Sequence, residues 1–131
     1  MACRMRVESP GTASVIAVVE DDPAVRKSLE FALEAHGYAV CAFANGAEAL
    51  HGDAIDAADC LVIDYNLPDG DGAVLLTSLR LRGLVCPAIF IAGNPTERCR
   101  RDVEACSAPL IEKPLIAEVL REHIRAALEQ K

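Results

Sequence analysis

Tryptophan is absent from this chain of 131 residues, and aromatic residues make up only 4% of it. Because 52% of the residues are nevertheless hydrophobic, we expect a single core built from Val, Leu, Ile and Ala. No apolar run approaches the roughly 20 residues that span a bilayer, and no apolar segment behind the N-terminus resembles a signal sequence. These absences argue against membrane insertion and predict a cytoplasmic location.

The chain also lacks an excess of positive charge, since its formal net charge is −7. Domains that bind nucleic acid usually carry a basic face, so this balance argues against direct binding to DNA or RNA. An acidic chain is better suited to a site that holds a cation.

Paired cysteines are missing as well, because none of the six forms a C-x-x-C motif, which argues against a zinc site. Without a secretion signal, a disulfide framework is not expected either. We therefore predict reduced thiols that serve as small apolar residues. The six are Cys3, Cys41, Cys60, Cys86, Cys99 and Cys106.

Strand-like and helix-like segments alternate five times along the chain. Residues 1–14 show no periodicity and are predicted to be a flexible arm, whereas residues 15–131 are predicted to be one domain. The alternation predicts an α/β fold in which a five-stranded parallel sheet is covered by helices on both faces. The predicted strands are 15–19, 38–43, 60–63, 87–91 and 110–111, and the predicted helices are 23–36, 45–51, one around 75–79, 96–106 and one from 114 onward.

Capping signals predict where several helices begin. Asp22 followed by Pro23 is typical of a helix start, and Asn45 can cap the second helix in the same way. Pro114 is expected to open the last helix, whose apolar stripe includes Ile116 and Val119.

Charged side chains follow three of the predicted strands. Glu20 and Asp21 follow the first strand, Asp64 follows the third and Lys113 follows the fifth. The carboxyl ends of parallel strands lie at one edge of the sheet, where ligands of open α/β folds bind. Three carboxylates at that edge favour a hard divalent cation, Mg²⁺ or Mn²⁺. With the Lys113 ammonium added, the set predicts a receptor for a phosphoryl group, which a carboxylate can attack in line.

At these residues the sequence resembles the receiver domains of two-component response regulators. The matching segments cover about residues 14–130. They are Val18-Val19-Glu20-Asp21-Asp22-Pro23, Ile63-Asp64-Tyr65-Asn66-Leu67-Pro68 with Gly72, and Lys113-Pro114.

This resemblance implies a doubly wound, flavodoxin-like fold and phosphorylation by a histidine kinase or phosphotransfer protein. Asp64 would be the phosphoacceptor. Asp21 would bind Mg²⁺ directly, Glu20 would act through water and Asn66 would offer its backbone carbonyl. Lys113 would contact the phosphoryl group, and its bond to Pro114 is often cis in the family.

Two positions depart from the family pattern. Ala92 stands where a Thr or Ser usually ends the fourth strand, and Leu110 replaces the usual aromatic three residues before the lysine. In the family the hydroxyl and the aromatic move together on phosphorylation. We therefore hypothesise that Asp64 can be phosphorylated while the signal leaves by another route, such as reordering of the helix at 96–106.

The resemblance implies signalling through protein contacts rather than enzymatic turnover. A downstream protein target and a homodimer would both use the face formed by the fourth helix, fifth strand and fifth helix. One alternative is a binding module that no longer depends on phosphate, which Ala92 and Leu110 favour. A small hydrolase with an aspartyl nucleophile is a third reading, but the chain has no room for a substrate cap, and Asn66 stands where a second Asp is expected.

Overall fold

The structure of the protein, a computed structural model, describes residues 13–129. Within this range, strands and helices alternate along the chain. The strands are β1 (Val15–Val19), β2 (Ala39–Phe43), β3 (Cys60–Asp64), β4 (Ala88–Ala92) and β5 (Leu110–Glu112), and the helices are α1 (Pro23–Ala35), α2 (Gly46–Leu50), α3 (Gly72–Leu81), α4 (Glu97–Ala105) and α5 (Ala117–Glu129).

All five strands are parallel and lie in the order β2-β1-β3-β4-β5. The chain thus reverses its direction of winding after β2, so that β1 and β3 are neighbours in the middle of the sheet. The predicted α/β fold with a five-stranded parallel sheet is confirmed. In such folds the crevice at the carboxyl ends of the central strands is the usual place for a ligand.

Two apolar clusters cover the two faces of the sheet. Residues of β1 alternate between them: Ala17 and Val19 belong to one cluster, and Ile16 and Val18 belong to the other. The first cluster includes apolar side chains of α2, α3 and α4, whereas the second includes those of α1 and α5. Because both faces are covered, β1, β3 and β4 are buried along their whole length, which explains their continuous apolar sequences.

The predicted helix starts are confirmed where a capping side chain is present. The Asp22 carboxylate accepts hydrogen bonds from the backbone N–H groups of Ala24 and Val25, and Pro23 is the first residue of α1. Asn45 accepts from Glu48 N at 2.8 Å and begins α2. These side chains satisfy N–H groups that have no partner inside their helices.

The start of α5 differs from the prediction. Lys113 N still donates to Ala92 O of β4 at 2.8 Å, so the chain remains extended beyond β5, and a cis bond joins Lys113 to Pro114. The helix begins only at Ala117. The expected apolar stripe is also wrong at its N-terminal end, since Ile116 is 62% exposed and Val119 is 40% exposed.

Most described cysteines behave as the composition predicts. Cys60, Cys86 and Cys99 are buried within the two apolar clusters. The expectation of reduced thiols is wrong at Cys41, which is disulfide-bonded.

The expected arm at residues 1–14 falls outside the described residues, apart from its last two positions. No helix in the described part of the chain is both long and apolar enough to cross a bilayer.

Candidate functional site

Parallel strand ends bring four charged residues to one edge of the sheet. Glu20 and Asp21 directly follow β1, Asp64 is the last residue of β3, and Lys113 directly follows β5. We call these four residues the acid pocket. Lys113 starts two strands away from Asp64, and its long side chain spans the end of β4. It passes Gly93, where a Cβ atom would lie 3.9 Å from Lys113 Cδ.

The lysine ammonium lies between two buried carboxylates. Lys113 Nζ donates a hydrogen bond to Asp64 Oδ2 at 3.0 Å, and it lies 3.0 Å from Glu20 Oε1 as an ion pair. Glu20 is fully buried and Asp64 nearly so, whereas a quarter of the Lys113 side chain is exposed. The second contact is not an aligned hydrogen bond, so Glu20 Oε1 is buried with an unfilled acceptor position.

Backbone groups hold the other oxygens of these two carboxylates. Glu20 Oε2 accepts from Asp22 N at 3.0 Å, and Asp64 Oδ1 accepts from Asn66 N at 3.0 Å. The guanidinium of Arg26 donates to Glu20 O at 2.8 Å and to Asp21 O at 3.4 Å, which fixes the turn after β1. The carboxylates are therefore held in place before any ligand arrives.

Burial and charge shift the pKa values of the buried partners. Burial raises the pKa of Glu20 above its ordinary value, although the Asp22 N–H and the Lys113 ammonium act in the opposite direction. For Lys113, burial lowers the pKa, but the carboxylates of Glu20 and Asp64 outweigh this effect and the net shift is upward. Lys113 is therefore a permanent cation at neutral pH.

The donor set of the acid pocket fits a divalent cation. Glu20, Asp21 and Asp64 each offer a carboxylate oxygen, and these oxygens lie within 4.8 Å of one another. Three carboxylates and one ammonium leave a formal charge of −2, and Glu20 Oε1 is buried without a hydrogen-bond partner. Hard oxygen donors of this kind suit Mg²⁺ or Mn²⁺. Asn66, the further expected ligand, is exposed and follows Asp64 by two residues.

The loop after Asp64 is held by contacts that sequence reasoning missed. A short antiparallel hairpin pairs Asn66–Leu67 with Gly70–Asp71. The Asp69 carboxylate accepts from Gly46 N at 3.0 Å and Ala47 N at 2.9 Å, which anchors the hairpin to the start of α2. These donors lower the pKa of Asp69. Because Asp69 bonds to residues that are distant in the sequence, no local sequence motif predicts this contact.

Gly72 has a clear steric reason to lack a side chain. A Cβ atom at this position would lie 2.6 Å from Asp64 O and 2.8 Å from Ile63 Cγ2. The close approach lets Gly72 N donate to Tyr65 O at 2.7 Å, which closes the loop against β3. Any larger residue would push the end of β3 away from α3.

Both atypical positions lie on the α4 side of the sheet. Ala92 ends β4 and is fully buried, and Leu110 begins β5 and is half-buried. Both pack in the cluster that contains Tyr65. We call Tyr65, Ala92, Leu110 and the buried α4 residues Cys99 and Val103 the α4 side. Neither Ala92 nor Leu110 offers a hydroxyl or an aromatic ring.

A family model described as the response regulator receiver domain matches residues 16–125 of the chain. The chain belongs to the receiver domain family. Among curated relatives, this receiver domain is 31% identical to nodulation protein W of Bradyrhizobium diazoefficiens over 91% of the chain. It is 34% identical to the response regulator MprA of Mycobacterium avium over 88% of the chain. It spans about half the length of these relatives, 53% and 51% respectively.

Solved structures show the same fold. FixJ-N superimposes with a TM-score of 0.81 at 31% identity, covering 92% of this chain and 97% of its own. A CheY-like receiver domain from Methanospirillum hungatei gives 0.82 at 26% identity, covering 91% and 96%. The flavodoxin-like, doubly wound architecture implied by the resemblance is therefore confirmed.

Membership of the receiver domain family identifies the general role of the chain in signalling. Receiver domains are signalling modules rather than conventional enzymes, and they interact with histidine kinases and downstream effectors. They generally bind Mg²⁺ at an acidic pocket, and this chain has an acidic cluster formed by Glu20, Asp21 and Asp64.

Proposed function

We propose that Asp64 accepts a phosphoryl group from the phosphohistidine of a kinase or phosphotransfer protein, and that residues 15–131 act as the receiving unit. The observation that carries this proposal is the contact of Lys113 Nζ with Asp64 Oδ2 at 3.0 Å, at a sheet edge shared with Glu20 and Asp21. A nucleophilic carboxylate with a fixed cation on one side and acidic ligands on the other has the parts needed for phosphoryl transfer.

In the transfer, one carboxylate oxygen of Asp64 attacks the phosphorus atom in line. The new O–P bond forms as the N–P bond of the phosphohistidine breaks, and the imidazole leaves and takes up a proton. The backbone bond from Asn66 N orients the attacking carboxylate. Lys113 is free to turn from the carboxylate toward the phosphoryl oxygens, because one ammonium can donate three hydrogen bonds.

The other two carboxylates hold the cation. Asp21 is exposed and could offer a direct ligand, whereas Glu20 is fully buried and would act through water. Asn66 would add its backbone carbonyl. Bound Mg²⁺ supplies the positive charge that offsets the oxygens of the incoming phosphoryl group. The same arrangement would support self-phosphorylation from a small phosphodonor and later hydrolysis of the acyl phosphate.

The signal would pass on through protein contacts. Ile116, just before α5, and Val119 of α5 are exposed, and an ion pair joins Arg100 of α4 to Glu112 of β5, with their Nη2 and Oε1 atoms 3.7 Å apart. Exposed apolar side chains and charged pairs are both common in interaction surfaces. We propose the face formed by α4, β5 and α5 for a downstream protein target or for a homodimer.

Intact mass tests the phosphoacceptor role. The protein is incubated with a small phosphodonor and Mg²⁺, and we expect the mass of one phosphoryl group to be added. The adduct should be lost in Asp64→Asn and with a chelator, but not in Asp53→Asn, which alters an exposed carboxylate without a side-chain cap bond. Unmodified wild-type protein would instead favour a receiver that works without phosphate, and turnover of a phosphate ester would favour a hydrolase.

A further inference from the structure

The residue next to the phosphoacceptor makes a direct bond to α4. The hydroxyl of Tyr65 donates to Asp102 Oδ2 at 2.6 Å, across 37 positions of sequence. The Tyr65 ring is buried, and Asp102 lies in the middle of α4. A hydrogen bond to a charged acceptor is among the stronger ones in proteins. This contact therefore joins the residue that follows β3 to α4, the helix that the sequence suggested as another route for the signal.

Few other contacts attach α4 to the rest of the protein. Of its nine residues only Cys99 and Val103 are buried, and Cys99 is small. A helix held by so little apolar surface belongs to the least stable part of a fold. Loss of one strong polar contact can therefore change its order without disturbing the sheet.

Backbone hydrogen bonds hold both polar groups of the Tyr65 main chain. Tyr65 N donates to Ile91 O at 2.8 Å, and Tyr65 O accepts from Gly72 N at 2.7 Å. In the next peptide, Asn66 N donates to Asp64 Oδ1. Phosphorylation would turn the Asp64 carboxylate into an acyl phosphate, a mixed anhydride whose carbonyl oxygen is a weaker acceptor, and would draw Lys113 toward the new phosphoryl oxygens. Both side-chain bonds of Asp64 then change, and the peptide beside Tyr65 must adjust.

We propose that the Tyr65–Asp102 hydrogen bond links the phosphorylation state of Asp64 to α4, and that it is made in the unphosphorylated protein and released on phosphorylation. This inference rests on the proposed function of Asp64. It needs no side-chain hydroxyl at Ala92 and no aromatic ring at Leu110.

Burial and the Asp102 carboxylate raise the pKa of Tyr65, so the phenol is a donor at neutral pH and the bond can form. One feature of the structure favours its release. Arg98 Nε lies 3.7 Å from the same Asp102 Oδ2 atom, so Asp102 keeps a charged partner when Tyr65 leaves. The bond can therefore break without leaving an isolated charge on α4.

The test combines binding of a phosphoryl mimic with amide hydrogen exchange. Beryllofluoride with Mg²⁺ is titrated into wild-type protein and Tyr65→Phe, and exchange is measured at residues 97–105. If the bond stabilises only the free state, removing it should tighten mimic binding about three- to tenfold. Exchange in α4 should rise with the mimic in wild-type protein, and should already be high in the variant without it.

Matched variants separate this coupling from a general loss of stability. Tyr38→Phe removes the hydroxyl of the only other tyrosine in the chain, and it should behave like wild-type protein. Asp102→Ala should reproduce Tyr65→Phe, and the double variant should shift affinity no further than either single change.

The outcomes distinguish the two claims. If wild-type protein binds beryllofluoride but Tyr65→Phe keeps wild-type affinity within twofold and wild-type exchange in α4, the coupling is wrong and the phosphoacceptor role stands. If wild-type protein binds no beryllofluoride, the proposed function fails and the coupling fails with it.

Discussion

The acid pocket and the α4 side adjoin where Asp64 is followed by Tyr65, yet they depart from the family pattern to very different degrees. The acid pocket has the four charged groups that the resemblance implies: Lys113 lies 3.0 Å from the carboxylates of Glu20 and Asp64, and the three carboxylates lie within 4.8 Å of one another. The α4 side has Ala92 and Leu110 where the family usually has a hydroxyl and an aromatic ring. Transfer of a phosphoryl group needs a few groups at fixed distances. Transmission needs only an element with two arrangements, which different contacts can provide.

The largest effect on the free energy of unfolding is expected at Gly72, which packs against the backbone of Asp64. In Gly72→Ala the new Cβ would lie 2.6 Å from Asp64 O, and that atom belongs to the backbone and cannot turn aside. We expect a loss of about 3 kcal/mol or more in the free energy of unfolding, measured by urea denaturation. Gly93→Ala is the control, because its Cβ meets Lys113 at an ordinary 3.9 Å. Equal stability of the two variants would contradict the close packing.

Removing the Lys113 ammonium from the acid pocket should cause the next largest loss of stability. Lys113→Met leaves the buried carboxylates of Glu20 and Asp64 without their hydrogen-bonded cation, and because the lysine is partly exposed we expect a loss of about 2 kcal/mol. Glu20→Gln removes a buried charge while Lys113 keeps Asp64, so we expect no loss of stability. Mg²⁺ should reduce the defect of Lys113→Met, since a bound cation can replace the ammonium. Equal losses in both variants would show that the pocket is not organised by charge.

A hydroxyl introduced at position 92 tests the α4 side through the affinity for a phosphoryl mimic. Thr and Val have nearly the same shape, so the difference between Ala92→Thr and Ala92→Val reports on the hydroxyl alone. Following the family pattern, we expect Ala92→Thr to bind beryllofluoride about fivefold more tightly, which is about one hydrogen bond. Isothermal titration measures both affinities. Equal affinities would mean that this chain has rebuilt its α4 side so that the hydroxyl has no place.

The smallest effect concerns the hairpin between the two regions. Hydrogen bonds from Ala47 N and Gly46 N lower the pKa of Asp69, so the unfolded chain binds more protons just below the ordinary value of about 3.9. The contribution of Asp69 is therefore present above that pH and is lost as the pH falls through the folded pKa. Asp69→Asn should be slightly less stable at neutral pH, and the difference from wild type should shrink as the pH falls through the folded pKa. Asp53→Asn should show no such pH-dependent difference.

Sequence patterns predicted the fold and the composition of the acid pocket because both depend on local signals. Continuous apolar runs indicate covered parallel strands, and parallel strands bring their carboxyl ends together. The positions of Glu20, Asp64 and Lys113 at the ends of strands were therefore enough to predict that they lie at one edge of the sheet. The Asp22 and Asn45 caps were predictable for the same reason, since each acts within three residues.

Contacts between distant residues could not be predicted. Asp69 bonds to residues 22 and 23 positions away, and Tyr65 to one 37 positions away. Nothing in the neighbouring sequence specifies such partners. The predicted start of α5 at Pro114 was wrong for another reason. A proline suits the first turn of a helix, but here strand pairing continues through Lys113 and α5 begins only at Ala117. Tertiary hydrogen bonding outweighed a local preference.

The most direct test of the account is to identify the modified atom. After incubation with a phosphodonor and Mg²⁺, borohydride reduces an acyl phosphate to an alcohol, so a phosphorylated aspartate becomes homoserine in a peptide map. We predict homoserine at position 64 and no other aspartate converted, with the conversion lost in Lys113→Met. Homoserine at Asp21, or none at all from protein that is folded and loaded with Mg²⁺, would contradict the claim that Asp64 is the phosphoacceptor.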